Sequence, residues 1–545
     1  MLRWILVVVI AVSALLFVPI FRSNSEGTLY KGTDGYPWWN DAVFYEVFLR
    51  SFYDSNGDGK GDIQGLIEKL DYLNDGNPDT EIDLGVTGLW LMPIMPSPSY
   101  HGYDVTDYFD INPDYGTLKD FKLLLEEAHK RGIRVIIDLV LNHTSREHPW
   151  FTSALSSKSS EFRDYYLWED EDPGYRGPTG GPVWHKSITG YYYGVFGDGM
   201  PDLNLRNPKV IDEIEKITRF WLKDMKVDGF RMDAVSHFVE EGQLQKNTKS
   251  THDWLKGFYK MYKSINPNAF AVGEVSNGTA VVSTYGGDEM DTGFEFDTAA
   301  GIISSARTAR QNPIRAAHAI ASRSYPLNQF STFISNHDTN RSFNEFRLDL
   351  DIAKVGATLL LTGPGNPFMY YGEEVGMEGL KPDEDIRLPM QWDATSTAGF
   401  TTGKPWRSPN DDIEALNVAA QDDDPNSLLN HYRKLIHFRN KHDVMRIGAW
   451  VRVRTPQQSV YAFLRQSEKD TYLVLTNLSG QPVSDYELSL NPDDGTISGN
   501  QVQELFNGVE VNAPTLTAEG GFEAYKPVNE LAPYQVLIVE ISQDN

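Results

Sequence analysis

From Trp38 onward the chain alternates short apolar runs with longer stretches in which apolar residues recur every three or four positions. The runs at 43–48, 88–92, 134–139, 227–232, 270–274, 330–335 and 367–370 read as buried strands, with 294–296 a weaker eighth. Between them, 63–73, 118–130, 208–223, 254–263, 314–322 and 352–361 carry helical spacing. Asn207 followed by Pro208 supplies an N-cap and a first-turn proline. This alternation predicts an α/β fold, a (β/α)8 TIM barrel, whose working rim lies at the C-terminal ends of the strands.

The alternation breaks twice. Between Asn142 and Pro208 lies a stretch rich in Gly, Pro and aromatic residues, with Trp150, Trp168, Trp184, Tyr191 to Tyr193 and Phe196 and no helical period. It reads as a subdomain, residues 144–205, inserted after the third strand. After a helix at 428–441 the pattern changes to short alternating strands at 451–454, 459–464, 471–476 and 536–541. Residues 443–545 are therefore expected to form a separate C-terminal antiparallel β-sandwich. That leaves 38–143 and 206–442 for the barrel.

The N-terminus has a different character. Arg3 precedes an apolar run at 5–17 that continues weakly to Phe21 and gives way to polar residues at 22–33. Such a pattern predicts export, residues 1–25 being either a signal cleaved near Ser23-Asn-Ser25 or a retained membrane anchor, with 26–37 a linker. The folded part is expected to be secreted or extracytoplasmic and, apart from that anchor, without membrane contact. A net charge of −27, from 76 acidic and 49 basic residues, argues against a nucleic-acid partner. The absence of cysteine excludes disulfides, thiolate metal sites and a cysteine nucleophile.

Chemistry gathers at the strand ends. In Gly229-Phe-Arg-Met-Asp-Ala-Val-Ser-His237, alternation aims Arg231 and Asp233 to one side, so the guanidinium can hold the carboxylate ionised. Alone, an Arg-x-Asp pair is more often structural than catalytic. Here the third strand runs into Asp138-Leu-Val-Leu-Asn-His143, the fifth into Gly273-Glu-Val275 and the seventh into Phe333-Ile-Ser-Asn-His-Asp338. Repeated acids along one barrel rim are costly to bury and point to a functional cleft.

At these residues the chain resembles the α-amylase family of glycoside hydrolases. Gly88-Leu-Trp-Leu-Met-Pro93, Met200-Pro-Asp-Leu-Asn204 and Gly365-Asn-Pro-Phe-Met-Tyr-Tyr-Gly-Glu-Glu374 match its remaining signature segments, in the right order. The resemblance implies a retaining hydrolase with Asp233 as nucleophile, Glu274 as acid/base and Asp338 as the acid gripping the distorted sugar. Such a mechanism needs its two principal carboxyl groups about 5–5.5 Å apart. It further implies His143 and His337 as hydroxyl ligands, Tyr103 as the stacking ring, and Arg231, His237 and Arg387 in the substrate site.

Two calcium sites are expected. Asp54-Ser-Asn-Gly-Asp-Gly-Lys-Gly-Asp62 offers oxygens from Asp54, Asn56, Asp58, the Lys60 carbonyl and Asp62. It is like the first half of an EF-hand loop, but the sequence places no helix before it and no glutamate at the twelfth position. The resemblance implies a second site from Asn142, Asp202 and the main-chain oxygen of His237.

Tyr100 stands three positions before Tyr103, where exo-acting α-glucosidase relatives carry an acid, so an endo-acting enzyme on starch and maltooligosaccharides is expected. The Met200–Asn204 segment and Arg387-Leu-Pro-Met-Gln-Trp392 look instead like the oligo-1,6-glucosidase, neopullulanase and maltogenic branches, which keeps exo action and transglycosylation as the alternative. A non-catalytic transporter subunit with an amylase-like domain is disfavoured, because all the rim acids are present. A monomer is expected.

Overall fold

The computed structural model describes residues 32–178 and 180–543. The predicted signal or anchor, with the first half of the linker, lies outside the described residues. Among those described, no helix is long and apolar enough to cross a membrane.

Eight parallel strands form the central sheet: β1 Phe44–Val47, β2 Gly88–Leu91, β3 Arg134–Leu139, β4 Gly229–Met232, β5 Phe270–Gly273, β6 Thr292–Gly293, β7 Ser331–Thr332 and β8 Asn366–Tyr370. The order is β7-β8-β1-β2-β3-β4-β5-β6, and a parallel bridge from Phe294 to Ser331 joins the two edges into a ring. Every residue of β1, β2, β4, β5 and β8 is buried, as strands covered on both faces require. Phe44, Trp90, Ile136, Phe270, Val272, Phe294 and Phe368 fill the interior. Trp38 and Trp39, just before β1, pack on Phe270 from below.

Helices cover the outside. Leu118–Lys130 starts at a reciprocal cap between Thr117 and Asp120 and buries Phe121, Leu124, Leu125 and Ala128. Pro208–Arg219, capped by Asn207, runs into a wider turn, Phe220–Met225, which ends at Lys226 in the left-handed region. The helix expected at 63–73 is broken at Lys69 into Ile63–Glu68 and Leu70–Leu73. The Lys69 ammonium lies 4.1 Å from the centroid of Tyr53 and 4.3 Å from that of Trp392, so the break turns a charge onto two rings.

The weak strand expected at 294–296 is β6, and it departs from expectation. It is Thr292–Gly293, and Phe296 opens a helix, Phe296–Thr308, that the apolar pattern did not reveal. The buried face of that helix is largely Thr298, Ala299, Gly301, Ser305 and Ala306. Small side chains let it lie close to the helix Asn312–Ser324, where a Cβ on Gly301 would stand 3.1 Å from that of Ala317.

Between β3 and Pro208 the insertion holds a three-stranded antiparallel sheet ordered Trp168–Glu169, Gly190–Tyr193, Trp184–Ser187. It also contains a helix, Pro149–Ser156, where no helical period was legible. Its aromatic residues mostly pack on one another, Phe151 meeting Trp168 at 5.8 Å and Tyr192 at 4.9 Å.

The C-terminal part is a five-stranded antiparallel sheet ordered Ala449–Arg452, Val460–Gln466, Thr471–Asn477, Val536–Ser542, Gln501–Glu504. Leu488–Leu490 pairs with Phe522–Tyr525 over one of its faces. The expected C-terminal antiparallel β-domain is thus present, and the other face of its sheet, with Tyr461, Phe463, Val474 and Ile538, packs into one core with the barrel.

Candidate active site

Register brings the rim acids together. Asp138 on β3 lies opposite Arg231 on β4, and Met232 opposite Gly273 on β5, so Glu274 emerges beside Asp233. One guanidinium grips the set. Arg231 Nη1 donates to Asp138 Oδ1 at 2.9 Å and to Asp233 Oδ1 at 2.7 Å, while Nη2 donates to Glu274 Oε2 at 2.7 Å. The Ala234 N–H also donates to Glu274 Oε2, at 3.1 Å, and the Ser276 hydroxyl to Oε1, at 3.1 Å. Both principal carboxyl groups are thus held by the two terminal nitrogens of one buried cation.

Asp138 is fully buried and also accepts from Trp90 Nε1 at 3.3 Å and from the Tyr103 hydroxyl at 3.0 Å. Burial pushes Asp233 up to about 8; Arg231 pulls it down, and Glu274 and Asp138 add to the rise. Arg231 thus faces three acids at 2.7–2.9 Å, the grip that opposes this rise.

Asp338 stands across the cleft, with its side chain 46% exposed. Its Oδ1 accepts from Arg387 Nη2 at 2.9 Å, and its Oδ2 lies 3.2 Å from His337 Nε2. His337 and Arg387 beside it hold it well below the usual carboxylate range. Arg387 is anchored by Nε on the His337 carbonyl at 2.9 Å and by Asp383 at 3.0 Å. The Tyr103 ring lies nearly parallel to those of His337 and His101, with centroids 5.5 and 6.1 Å away.

His143 and His237 sit on the opposite wall. His143 is buried, which lowers it to about 4 and keeps it neutral; its Nε2 lies 3.1 Å from the Tyr103 carbonyl, so in this structure it steadies the stacking ring's backbone. His237 donates from Nδ1 to the Gln245 carbonyl at 3.1 Å, leaving Nε2 without a hydrogen bond to the protein. Phe196, from the insertion, packs on both imidazoles at 5.4 Å. At 42% exposure it is the most exposed Phe, Trp or Tyr among the described residues.

Two residues of this hydrogen-bonded cluster are given no role from the sequence. Asp138 appears there only as part of a motif, although it is the common partner of Arg231, Tyr103 and Trp90. Glu46 is the second, with Oε1 2.5 Å from His337 Nδ1. A lone acid inside the otherwise uncharged run of β1 is the signal that could have found it.

The expected calcium loop is built as follows. Asp54 Oδ1 accepts from the N–H of Asn56 and Gly57 at 3.1 and 2.7 Å, and its Oδ2 from Gly59 at 2.7 Å. Asp62 caps the helix Ile63–Glu68. Asn56 and Asp58 each accept the N–H two residues on, and Lys60 Nζ pairs with Asp114. A four-residue helix, Leu49–Phe52, does precede the loop, which corrects the sequence reading.

At the second location Asn142 Oδ1 is buried without a hydrogen-bond partner, and buried Asp202 accepts the Val195 N–H at 3.0 Å. Burial pushes the Asp202 carboxyl well up. An orphaned carbonyl oxygen beside a buried carboxyl fits a hard cation. Among the described residues no three His, Asp or Glu side chains converge as metal ligands, so amide and main-chain oxygens would have to complete either site.

The model of the alpha amylase catalytic domain matches residues 46–448. The chain is 41% identical over 452 residues to alpha-amylase 3 of Dictyoglomus thermophilum, covering 81% of this chain and 86% of that protein. It is 33% identical over 518 residues to an oligo-1,6-glucosidase of Parageobacillus thermoglucosidasius, covering 81% and 90%. The crystal structure of the alpha-amylase from H. orenii superimposes with a TM-score of 0.80 at 40% identity, over 92% of this chain and 99% of that one. A closed eight-stranded barrel with acids at its rim, matched by that model along most of its length, makes this chain a member of the α-amylase family of glycoside hydrolases.

Proposed function

We propose that this glycosidase is an exported, retaining, endo-acting α-1,4-glucan hydrolase of starch and maltooligosaccharides. The observation that carries the reading is the shared grip of Arg231 on Asp233 and Glu274. Asp233 attacks the anomeric carbon while Glu274 gives its proton to the departing glycosidic oxygen, leaving a glycosyl ester on Asp233. Glu274, now ionised, takes a proton from water, which cleaves that ester and restores both groups. Asp338, ionised beside Arg387 and His337, holds the hydroxyls of the strained ring, and Tyr103 lies beneath it.

Endo action draws support from the rim. Tyr100 stacks on Trp406 at 5.6 Å and Arg387 lies 5.8 Å from its ring, so this position presents an aromatic wall where an exo-acting relative carries an acid. The likeness to an oligo-1,6-glucosidase favours the second reading, an exo-acting or transglycosylating enzyme.

A time course on soluble starch and on end-blocked maltooligosaccharides separates the two. Early release of mixed oligosaccharides is expected, whereas glucose alone would sink the endo assignment. Asp233→Asn should lower kcat by about 10⁴-fold with unchanged circular dichroism. Export rests on the apolar run at 5–17 behind Arg3; assaying culture medium against washed membranes distinguishes a cleaved signal from an anchor.

Calcium is part of the proposal. Asn142, Asp202 and the main-chain oxygen of His237 would hold one ion, and Asp54, Asn56, Asp58, the Lys60 carbonyl and Asp62 the other. The ion supplies fixed positive charge that neutralises buried oxygens and ties the insertion to the barrel. At a hundredfold excess over Kd it would add about 2.7 kcal/mol to stability. A chelator should therefore lower Tm, and calcium but not magnesium should restore it. An unchanged melting curve would remove the metal from the proposal.

A further inference from the structure

Glu46 is 2% exposed, inside a strand in which every residue is buried. A carboxylate in such a place needs a dedicated partner, and that partner is His337, fully buried, with Nδ1 2.5 Å from Glu46 Oε1. On its far side, His337 Nε2 lies 2.7 Å from the Tyr103 hydroxyl and 3.2 Å from Asp338 Oδ2.

The directions of these bonds follow from what each group can do. Asp138 receives donors only, from Arg231, Trp90 and the Tyr103 hydroxyl. The single Tyr103 proton is therefore used on Asp138, and its oxygen must accept from His337 Nε2–H. Nδ1, facing a carboxylate, carries the other proton. With Glu46 ionised both ring nitrogens are donors, an imidazolium whose orientation is set from β1.

We propose that Glu46 is a positioning residue for the hydrolytic reaction: it keeps His337 doubly protonated and turned so that Nε2–H faces Asp338 and Tyr103. This deepens the hydrolytic reading and rests on it. Through His337, one buried acid in β1 orders the carboxylate at the strained sugar and, by way of Tyr103 and Asp138, the guanidinium between Asp233 and Glu274.

The groups around the ring are Glu46 on β1, the Trp90 edge on β2 at 5.5 Å, Tyr103 after β2, Asp138 on β3, Arg231 on β4, Asp338 after β7, and Arg387, which holds the His337 carbonyl. Tyr370 on β8 faces Glu46. Burial pulls the imidazolium down, but Asp338 and Glu46 outweigh it and push His337 up to about 10.

Glu46→Gln tests the idea. The amide keeps the shape and a carbonyl for Nδ1–H but removes the charge, so the His337 pKa should fall by about 1–3 units. His337 then loses a proton within the working range. Between about pH 6 and about pH 9 the ratio of wild-type to variant kcat should rise, about twofold for a fall of one unit and about tenfold or more for a fall of two or more, with KM moving less. Nitrogen-15 NMR of the holoprotein should show His337 doubly protonated near pH 8 in the wild type and titrating in the variant.

A kcat ratio constant across pH would reduce Glu46 to a structural residue and overturn the proposal. So would a singly protonated His337 in the wild type, a result that stands even where the variant fails to fold. Failure of the hydrolytic reading looks different, since the wild type itself would then leave α-glucans intact.

Discussion

The catalytic geometry depends on how closely β4 and β5 approach, and one residue sets that distance. A Cβ on Gly229 would stand 2.0 Å from the Phe270 carbonyl oxygen and 2.8 Å from its carbon and nitrogen, all of them backbone. No rotamer relieves such a contact, so the strands must part. Two residues on is Arg231, and the facing strand ends one residue before Glu274. Gly229→Ala is expected to cost about 1–3 kcal/mol in a urea melt, as overpacking does. It should also lower kcat by up to about 10²-fold, the effect of a misplacement near 1 Å. Gly257 is the control. It lies within the helix Lys249–Ile265, and a methyl group there would meet nothing within 4 Å, so Gly257→Ala should stabilise by about 0.5–1 kcal/mol without touching kcat. Equal losses at both positions would refute the close-approach argument.

Elements were legible in proportion to how much of their cause is local. Leu118–Lys130 and Leu428–Lys441 have the bounds their apolar spacing gave, because Thr117 and Ser427 cap them from within the chain. The barrel strands were legible as apolar runs, and the acids at their ends as a break in those runs. The helix Phe296–Thr308 was hidden because its buried face is made of small and hydroxyl-bearing side chains, whose burial is decided by the neighbouring helix. β6 is two residues long and leaves no period to read. In the insertion, Pro149–Ser156 is held by aromatic contacts to residues far along the chain, such as Trp168 and Tyr192. The site followed the same rule. Asp233, Glu274 and Asp338 could be found from short motifs, whereas Glu46 gains its meaning only from His337, 291 residues away.

At the scale of the molecule, the question is whether the C-terminal sheet stands alone or forms one body with the barrel. The helix Leu350–Thr362 ends just before β8, and its last carbonyls are met by two buried arginines. Arg439, from the helix Leu428–Lys441, donates to the carbonyls of Leu361 at 3.0 Å and Gly365 at 2.8 Å. Arg465, from the strand Val460–Gln466, donates to those of Thr362 at 3.2 Å and of Gly363. Burial lowers both guanidinium groups, Arg439 to about 9, and the two repel each other at Arg465. Two effects therefore compete in Arg465→Met. Losing a buried charge beside another cation is a gain, but it takes the Arg465 donor from the Thr362 and Gly363 carbonyls at the negative end of a helix dipole, leaving Gly363 only the longer 3.4 Å bond from Arg439. Hydrogen bonds from a charged donor are worth about 1.5–3 kcal/mol each, and two are lost, so the bonds win. A net loss of about 2–4 kcal/mol is expected in guanidinium titrations. Because one face of the sheet is part of the barrel's core, that loss should appear as a shift of a single transition seen alike by tryptophan fluorescence and by activity. Separate transitions, the sheet melting while hydrolysis persists, would mean that the two parts fold independently and that the arginine is no latch.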